Sequence, residues 1–228
     1  MNNAILKAFD LVLSGNDQLL NIISVTLKMS LSSSLLALLI GVPLGVLLAI
    51  NNFTGKKILL VVNRTLMGLP PVVCGLILYM LFSGVGPLGF MHLLFTVTGM
   101  IIAQIILITP LMIGSTETFV VAIAPAIYET SKGLRLNWFK RFLLTINECK
   151  YQIISTYLLG FARATAEVGA VSMVGGAIAY KTNVMTTAIM MYTNRGDFTL
   201  GIALGIILLL MSLVLNIAVY FMQARLSR

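Results

Sequence analysis

Five long apolar runs, at about 20–50, 58–83, 93–116, 151–176 and 198–223, divide the chain, and polar positions gather between them. A helix rises about 1.5 Å per residue, so each run is long enough to cross a hydrocarbon layer of about 30 Å. None alternates over the ten or so residues that a barrel strand would show. The pattern predicts an all-α, polytopic membrane protein with five transmembrane helices, organised as one domain over 1–228. The first run is too long for a signal-peptide core and is followed by no small-residue cleavage site, so it reads as a retained span.

Proline and glycine punctuate these runs. Gly68-Leu69-Pro70-Pro71 interrupts the second, where missing backbone donors and ring clashes predict that the helix stops and restarts. Broken helices often mark transport pathways. Pro110 predicts a kink in the third run. Gly41 and Gly45 in the first, and Gly201 and Gly205 in the fifth, have the four-residue spacing that lets helices approach closely.

Composition strengthens this reading: 59% of residues are hydrophobic, only 10% are charged, and mean hydropathy is +1.02. The net charge of +8 points to no nucleic acid, because its distribution follows the membrane. Lys56, Lys57, Arg64, Lys132, Arg135, Lys140, Arg141, Lys150, Arg225 and Arg228 fall on one side. Lys7, Lys28, Lys181 and Arg195 fall on the other, and Arg163 lies within a span. Positive residues collect inside, which predicts an outer N-terminus and a cytoplasmic C-terminus. Cys74 and Cys149 are too few and too far apart to frame a disulfide or a metal site. His92, in a short outer loop, reads as an interfacial polar residue.

Polar chemistry concentrates in two places. The first is 117–150, where Ala126–Lys132 has helical character and Gly133 reads as a left-handed cap. Leu134, Trp138, Phe142 and Ile146 then alternate with basic residues at helical spacing. The segment suits equally a rigid cytoplasmic knob and a basic helix lying in the lipid interface. The second is the fourth run, with Arg163 and Glu167 inside apolar, glycine-rich sequence. Charges at that depth are costly unless paired or facing a polar cavity. Their four-residue spacing, about 18 Å along a helix from Tyr151 for Arg163, favours a structural or gating pair. Weak, replaceable donors for a permeating anion are Ser172, Thr186, Thr187 and the amides around Gly175 and Gly176. Met173 and Val174 are the candidates for an apolar gate.

Glu129-Thr-Ser-Lys-Gly133, followed by Leu-Arg-Leu-Asn-Trp-Phe, resembles the Glu-Ala-Ala-x-x-x-Gly cytoplasmic loop of type I ABC importer permeases. Thr-Ser replaces the usual Ala-Ala, and the glycine comes earlier than in that motif. Arg163-Ala-Thr-Ala-Glu167-Val-Gly169-Ala, Met173-Val-Gly-Gly176 and Val184-Met-Thr-Thr-Ala-Ile189 resemble the permease subunits of tungstate ABC importers, and more loosely those for molybdate and sulfate. The resemblance implies a permease in a prokaryotic plasma membrane. Two copies would form the pathway, two ATP-binding-cassette ATPases would dock on the cytoplasmic loops, and an extracytoplasmic binding protein would deliver the oxyanion. It implies coupling through Glu129, Gly133, Trp138 and Phe142, and alternating access across the membrane.

The chain carries no phosphate-binding loop of its own, so the resemblance leaves ATP to the partner and expects neither a cofactor nor enzymatic chemistry here. A molybdate or sulfate permease is the nearest alternative. A secondary anion transporter would bring inverted repeats, and none is visible. A membrane anchor or scaffold leaves Arg163 and Glu167 unexplained, and an intramembrane hydrolase lacks a metal-ligand cluster.

Overall fold

The computed structural model describes residues 17–226, all of whose regular elements are helical. These are α1 (Asp17–Ile50), α2 (Lys56–Met67), α3 (Pro71–Phe82), a 3-10 turn (Gly89–Met91), α4 (Val97–Gly133), α5 (Trp138–Glu148), α6 (Lys150–Thr165), α7 (Gly169–Gly175), α8 (Met185–Asn194) and α9 (Phe198–Leu226). By length and composition α1 and α4 each suffice to cross a membrane, and the bent pair α2–α3 counts as a third if its two helices make one span. The apolar part of α9 is Phe198–Val214. Lys7 and Arg228, two of the charges used to orient the chain, lie outside the described residues.

The chain forms two compact units woven from separate segments. One takes 17–33, 70–104 and 162–217 of the described residues; the other takes 34–69, 105–161 and the end of α9. In the first unit, Leu19 and Ile22 of α1 pack with Met185, Ala188 and Tyr192 of α8 and Ala203 and Leu204 of α9. A second cluster joins Met29, Met100, Val171 and Val184. In the other unit, Val42, Val46 and Ala49 of α1 meet Val120 of α4 and Cys149.

The predicted break at Gly68–Pro71 is present: Gly68 caps α2, and α3 restarts with Pro71 in its first turn, where a missing amide costs nothing. The Gly41/Gly45 spacing does bring helices together. A Cβ on Gly45 would stand 2.6 Å from Thr116 Cβ of α4 and 2.7 Å from the Ile113 carbonyl. Gly205, by contrast, has open space beside it.

Three expectations need correction. The third run does not end near 116: α4 continues through Pro110 and Pro125 to Gly133, so 117–133 is helix rather than loop. A helix already nucleated by its apolar half extends cheaply through polar residues of good propensity. The fourth run, 151–176, is not one helix, since α6 stops at Thr165 and α7 begins at Gly169. Gly133 is not the left-handed residue of the following turn; that is Arg135, with φ 50°.

Candidate functional site

The break between α6 and α7 gathers most of the predicted pathway residues within one unit. The α6 carbonyl of Ala164 accepts a hydrogen bond from Gln104 Nε2 of α4 at 2.6 Å. Ser33 Oγ of α1 donates to Gln104 Oε1 at 2.5 Å. Gln104 and Ala164 have no exposed surface. One amide thus ties three helices together and satisfies a carbonyl that the interrupted helix leaves short of a partner.

Glu167 lies in the break itself, with 6% of its surface exposed. Its Oε1 accepts from the Ala170 amide in the first turn of α7 at 3.3 Å, where the helix dipole favours a carboxylate. Its carbonyl accepts from Thr186 Oγ1 of α8 at 2.8 Å. Arg163 Nη2 stands 3.9 Å from Glu167 Oε2, and the Arg163 side chain keeps half its surface exposed. So long and open a contact adds little stability, which leaves the guanidinium free to meet something else. The two residues do not share one continuous helix face, because the helix has ended between them.

The α3 restart packs directly on α7. A Cβ on Gly169 would come within 2.9 Å of Val72 Cγ2, and one on Gly75 within 2.7 Å of Ala170 Cα. Only glycine at both positions lets these backbones touch. Pro70 and Pro71 therefore place the N-terminus of α3 beside the second break, whereas Gly68 belongs to the other unit.

The hydroxyls named as anion donors are occupied by the chain itself. Thr187 Oγ1 accepts from Val184 N at 3.1 Å and donates to Asn183 Oδ1 at 3.0 Å. Thr186 and Thr187 are buried, and both serve the entry to α8. Ser172 Oγ, half-buried, donates to the Gly169 carbonyl at 3.0 Å. The Gly175 carbonyl accepts from Thr182 Oγ1 at 2.6 Å, and Gly176, with φ 69°, turns the chain out of α7. Val174 is fully buried, while Met173 is half-buried beside Gly75. Thr26 of α1 accepts from Met185 N at 2.9 Å and caps α8 from across the unit.

Sequence reasoning missed Gln104, Ser33, Thr26 and Thr182. The available signal was polarity inside an apolar run, clearest for Gln104.

The second candidate region lies in the other unit, at the junction of α4 and α5. Leu134 N donates to Thr130 O and Leu136 N to Ser131 O, at 3.0 and 2.8 Å, closing the turn. Asn137 caps α5, its side chain accepting from Lys140 N at 2.8 Å. Trp138 stacks on Phe142 with ring centroids 6.0 Å apart, and Arg141 lies 5.7 Å over the Tyr128 ring. Phe142 packs inward on the Val42/Val46/Val120/Cys149 cluster. Glu129, Gly133, Leu134, Trp138 and Phe139 are exposed, so Phe139, which the periodicity had not singled out, adds a second exposed aromatic to this segment. Burial, and then the charge of Glu148, push the Cys149 thiol up to about 11.

Residues 41–228 match the family described as the binding-protein-dependent transport system inner membrane component. The chain is 37% identical over 216 residues to the tungstate uptake system permease protein TupB of Peptoclostridium acidaminophilum, covering 95% of each. It is 37% identical to TupB of Campylobacter jejuni, covering 92% of this chain and 88% of that protein. Similarity to the molybdenum transport system permease protein ModB of Azotobacter vinelandii is lower, 26% over 77% of this chain and 81% of that one. With long apolar helices, a buried carboxylate at the break between α6 and α7 and a match that runs from within α1 to residue 228, this chain belongs to the binding-protein-dependent inner-membrane permease family.

Proposed function

We propose that this chain is the membrane-spanning permease subunit of an ATP-driven importer of tetrahedral oxyanions, with tungstate as its substrate. The observation that carries the substrate is 37% identity along 95% of the chain to a tungstate uptake permease, against 26% for the molybdenum permease. In this reading two copies form the pathway. An extracytoplasmic binding protein presents the anion at the outer face, and two ATPase subunits act from the cytoplasm. The single permease domain spans the membrane five times, with its N-terminus outside.

The end of α4 and the start of α5 form the ATPase contact. Three features support this: the turn is closed by backbone hydrogen bonds, Arg141 ties α5 to Tyr128, and Leu134, Trp138 and Phe139 leave apolar surface uncovered. Such an element transmits a push without absorbing it. ATPase closure then moves α4 and α6, and the breaks at 68–70 and 166–168 are where a span can change direction.

Arg163 meets the dianion in passing, because its guanidinium is exposed and only loosely engaged by Glu167. Glu167 holds the start of α7, and Met173 and Val174 close the pathway between anions. Purification of the permease with its ATPase tests the division of labour. Wild-type permease is expected to retain the ATPase through gel filtration, and a Trp138→Ala, Phe139→Ala variant to lose it. Full retention by the variant would remove α5 from the coupling contact.

A further inference from the structure

We propose that the groove between α1 and α2 is a binding site for an anionic phospholipid, with an acyl chain in the groove and the phosphate at Lys57. The groove has a volume of about 400 Å³ and is walled by Leu44 and Leu48 of α1, Leu59, Val62 and Leu66 of α2, and Ile113 of α4. Leu59 to Leu66 covers about 10 Å of helix, so the walls are long and narrow, as a hydrocarbon tail requires. Leu44, Leu59, Val62 and Leu66 are each between 41% and 49% exposed, the partial cover that leaves a trough rather than a packed core.

The one buried residue of α2 fixes how the helix sits against α4. Asn63 faces inward and donates to the Pro110 carbonyl at 3.1 Å. With its amide committed there, Asn63 also lines the groove, and Leu59, Val62 and Leu66, within one turn of it on the same helix face, form the α2 wall. Exposed apolar helix faces in this chain are ordinarily lipid-facing, and that alone specifies no site.

Specificity comes from the end of the groove. Phe53 lines it and also lines a second cavity of about 400 Å³ with Gly55, Lys56 and Lys57. An apolar trough therefore runs directly into a basic one. Lys56 is already used: its Nζ reaches the Asn51 carbonyl at 3.1 Å and the Ala49 carbonyl at 3.4 Å, closing the C-terminus of α1. Lys57 is exposed and has no hydrogen bond or ion pair among the described residues. No acidic residue occurs between 44 and 67 to neutralise it. One molecule with an anionic head and a hydrocarbon tail satisfies both cavities, and basic pockets at helix ends are where anionic headgroups bind.

Native mass spectrometry of the detergent-purified permease–ATPase complex tests this, with phosphatidylglycerol and phosphatidylcholine of identical chains as probes. Wild-type protein is expected to retain phosphatidylglycerol at least fivefold over phosphatidylcholine. Lys57→Glu should abolish the headgroup preference. Val62→Trp, which fills the groove from an exposed position, should lower retention of both lipids. Leu66→Ser serves the same purpose should the Trp variant fail to fold. Equal retention of the two lipids by wild type, or an unchanged preference in Lys57→Glu, overturns the proposal. So does a Val62→Trp protein that keeps its lipid but loses permease–permease association, since the groove would then belong to a second copy of the chain.

Discussion

Gln104 is the residue whose removal should be felt most sharply for its size. Its side chain is fully buried, accepts from Ser33 Oγ and donates to the Ala164 carbonyl, linking α1, α4 and α6. Gln104→Leu keeps nearly the same volume and removes both bonds. Ser33 retains a second acceptor, the Ser30 carbonyl at 3.2 Å, so its loss is partly offset. Ala164 O keeps only the Glu167 amide at 3.4 Å. Hydrogen bonds between membrane helices average about 0.6 kcal/mol, and an unsatisfied buried group costs about 1–3 kcal/mol. The sum is a destabilisation of about 2 kcal/mol. Gln104→Glu offers a sharper comparison, because a carboxyl at this depth is protonated and can still accept from Ser33 and donate to Ala164 O. Unfolding of the purified permease in mixed micelles, followed by tryptophan fluorescence of Trp138 and far-UV circular dichroism, reads both variants. Leu should destabilise and Glu should recover at least half of the loss. A Leu variant as stable as wild type, or a Glu variant worse than Leu, refutes the tie.

Four further outcomes follow from the same geometry. Gly133→Val should leave the melting temperature of the isolated permease nearly unchanged, because Gly133 has an ordinary φ and open space around it, whereas Arg135→Val, whose branched Cβ is least tolerated at φ 50°, should lower it. Phe142→Ala should destabilise by about 2 kcal/mol, roughly half of a fully buried phenylalanine truncation, while Phe139→Ala changes ATPase retention and not melting temperature. Glu167→Gln, which still accepts from the Ala170 amide, should fold like wild type; Glu167→Ala should lose about 1 kcal/mol of stability, and adding Arg163→Met to Glu167→Gln should cost uptake rather than assembly. Cys149 should resist maleimide at pH 8, and because its raised pKa favours the protonated thiol, its contribution is complete below about pH 9 and lost as pH climbs through about 11; a Cys149→Ala protein should lack that alkaline step in a stability–pH profile.

Much of the helical plan is legible where the cause is local. Pro70 and Pro71 delete amides wherever they stand, so the second break announces itself, and Gly45 against Thr116 follows from a spacing visible in one helix. The break at 166–168 contains no proline. It is held by Gln104 from α4 and Thr186 from α8, partners distant in sequence, and the run 151–176 therefore reads as continuous. The same distant partners are invisible for the candidate anion donors. Thr186 and Thr187 look like free hydroxyls in a string of residues, but folding uses them to close the entry to α8. Continuation of α4 to Gly133 was hidden by polarity, which marks the end of an apolar run and not the end of a helix. Phe139 escaped notice because a surface contact has no periodicity of its own.

Reconstituted transport bears most directly on the central claim. The permease is placed in liposomes with its ATPase and binding protein, ATP is enclosed at the cytoplasmic face, and labelled tungstate uptake is followed with molybdate and sulfate as competitors. The account predicts uptake that requires both ATP and the binding protein, with unlabelled tungstate competing best, molybdate less and sulfate least. Uptake that proceeds without ATP hydrolysis, or a competition order led by sulfate, would contradict it.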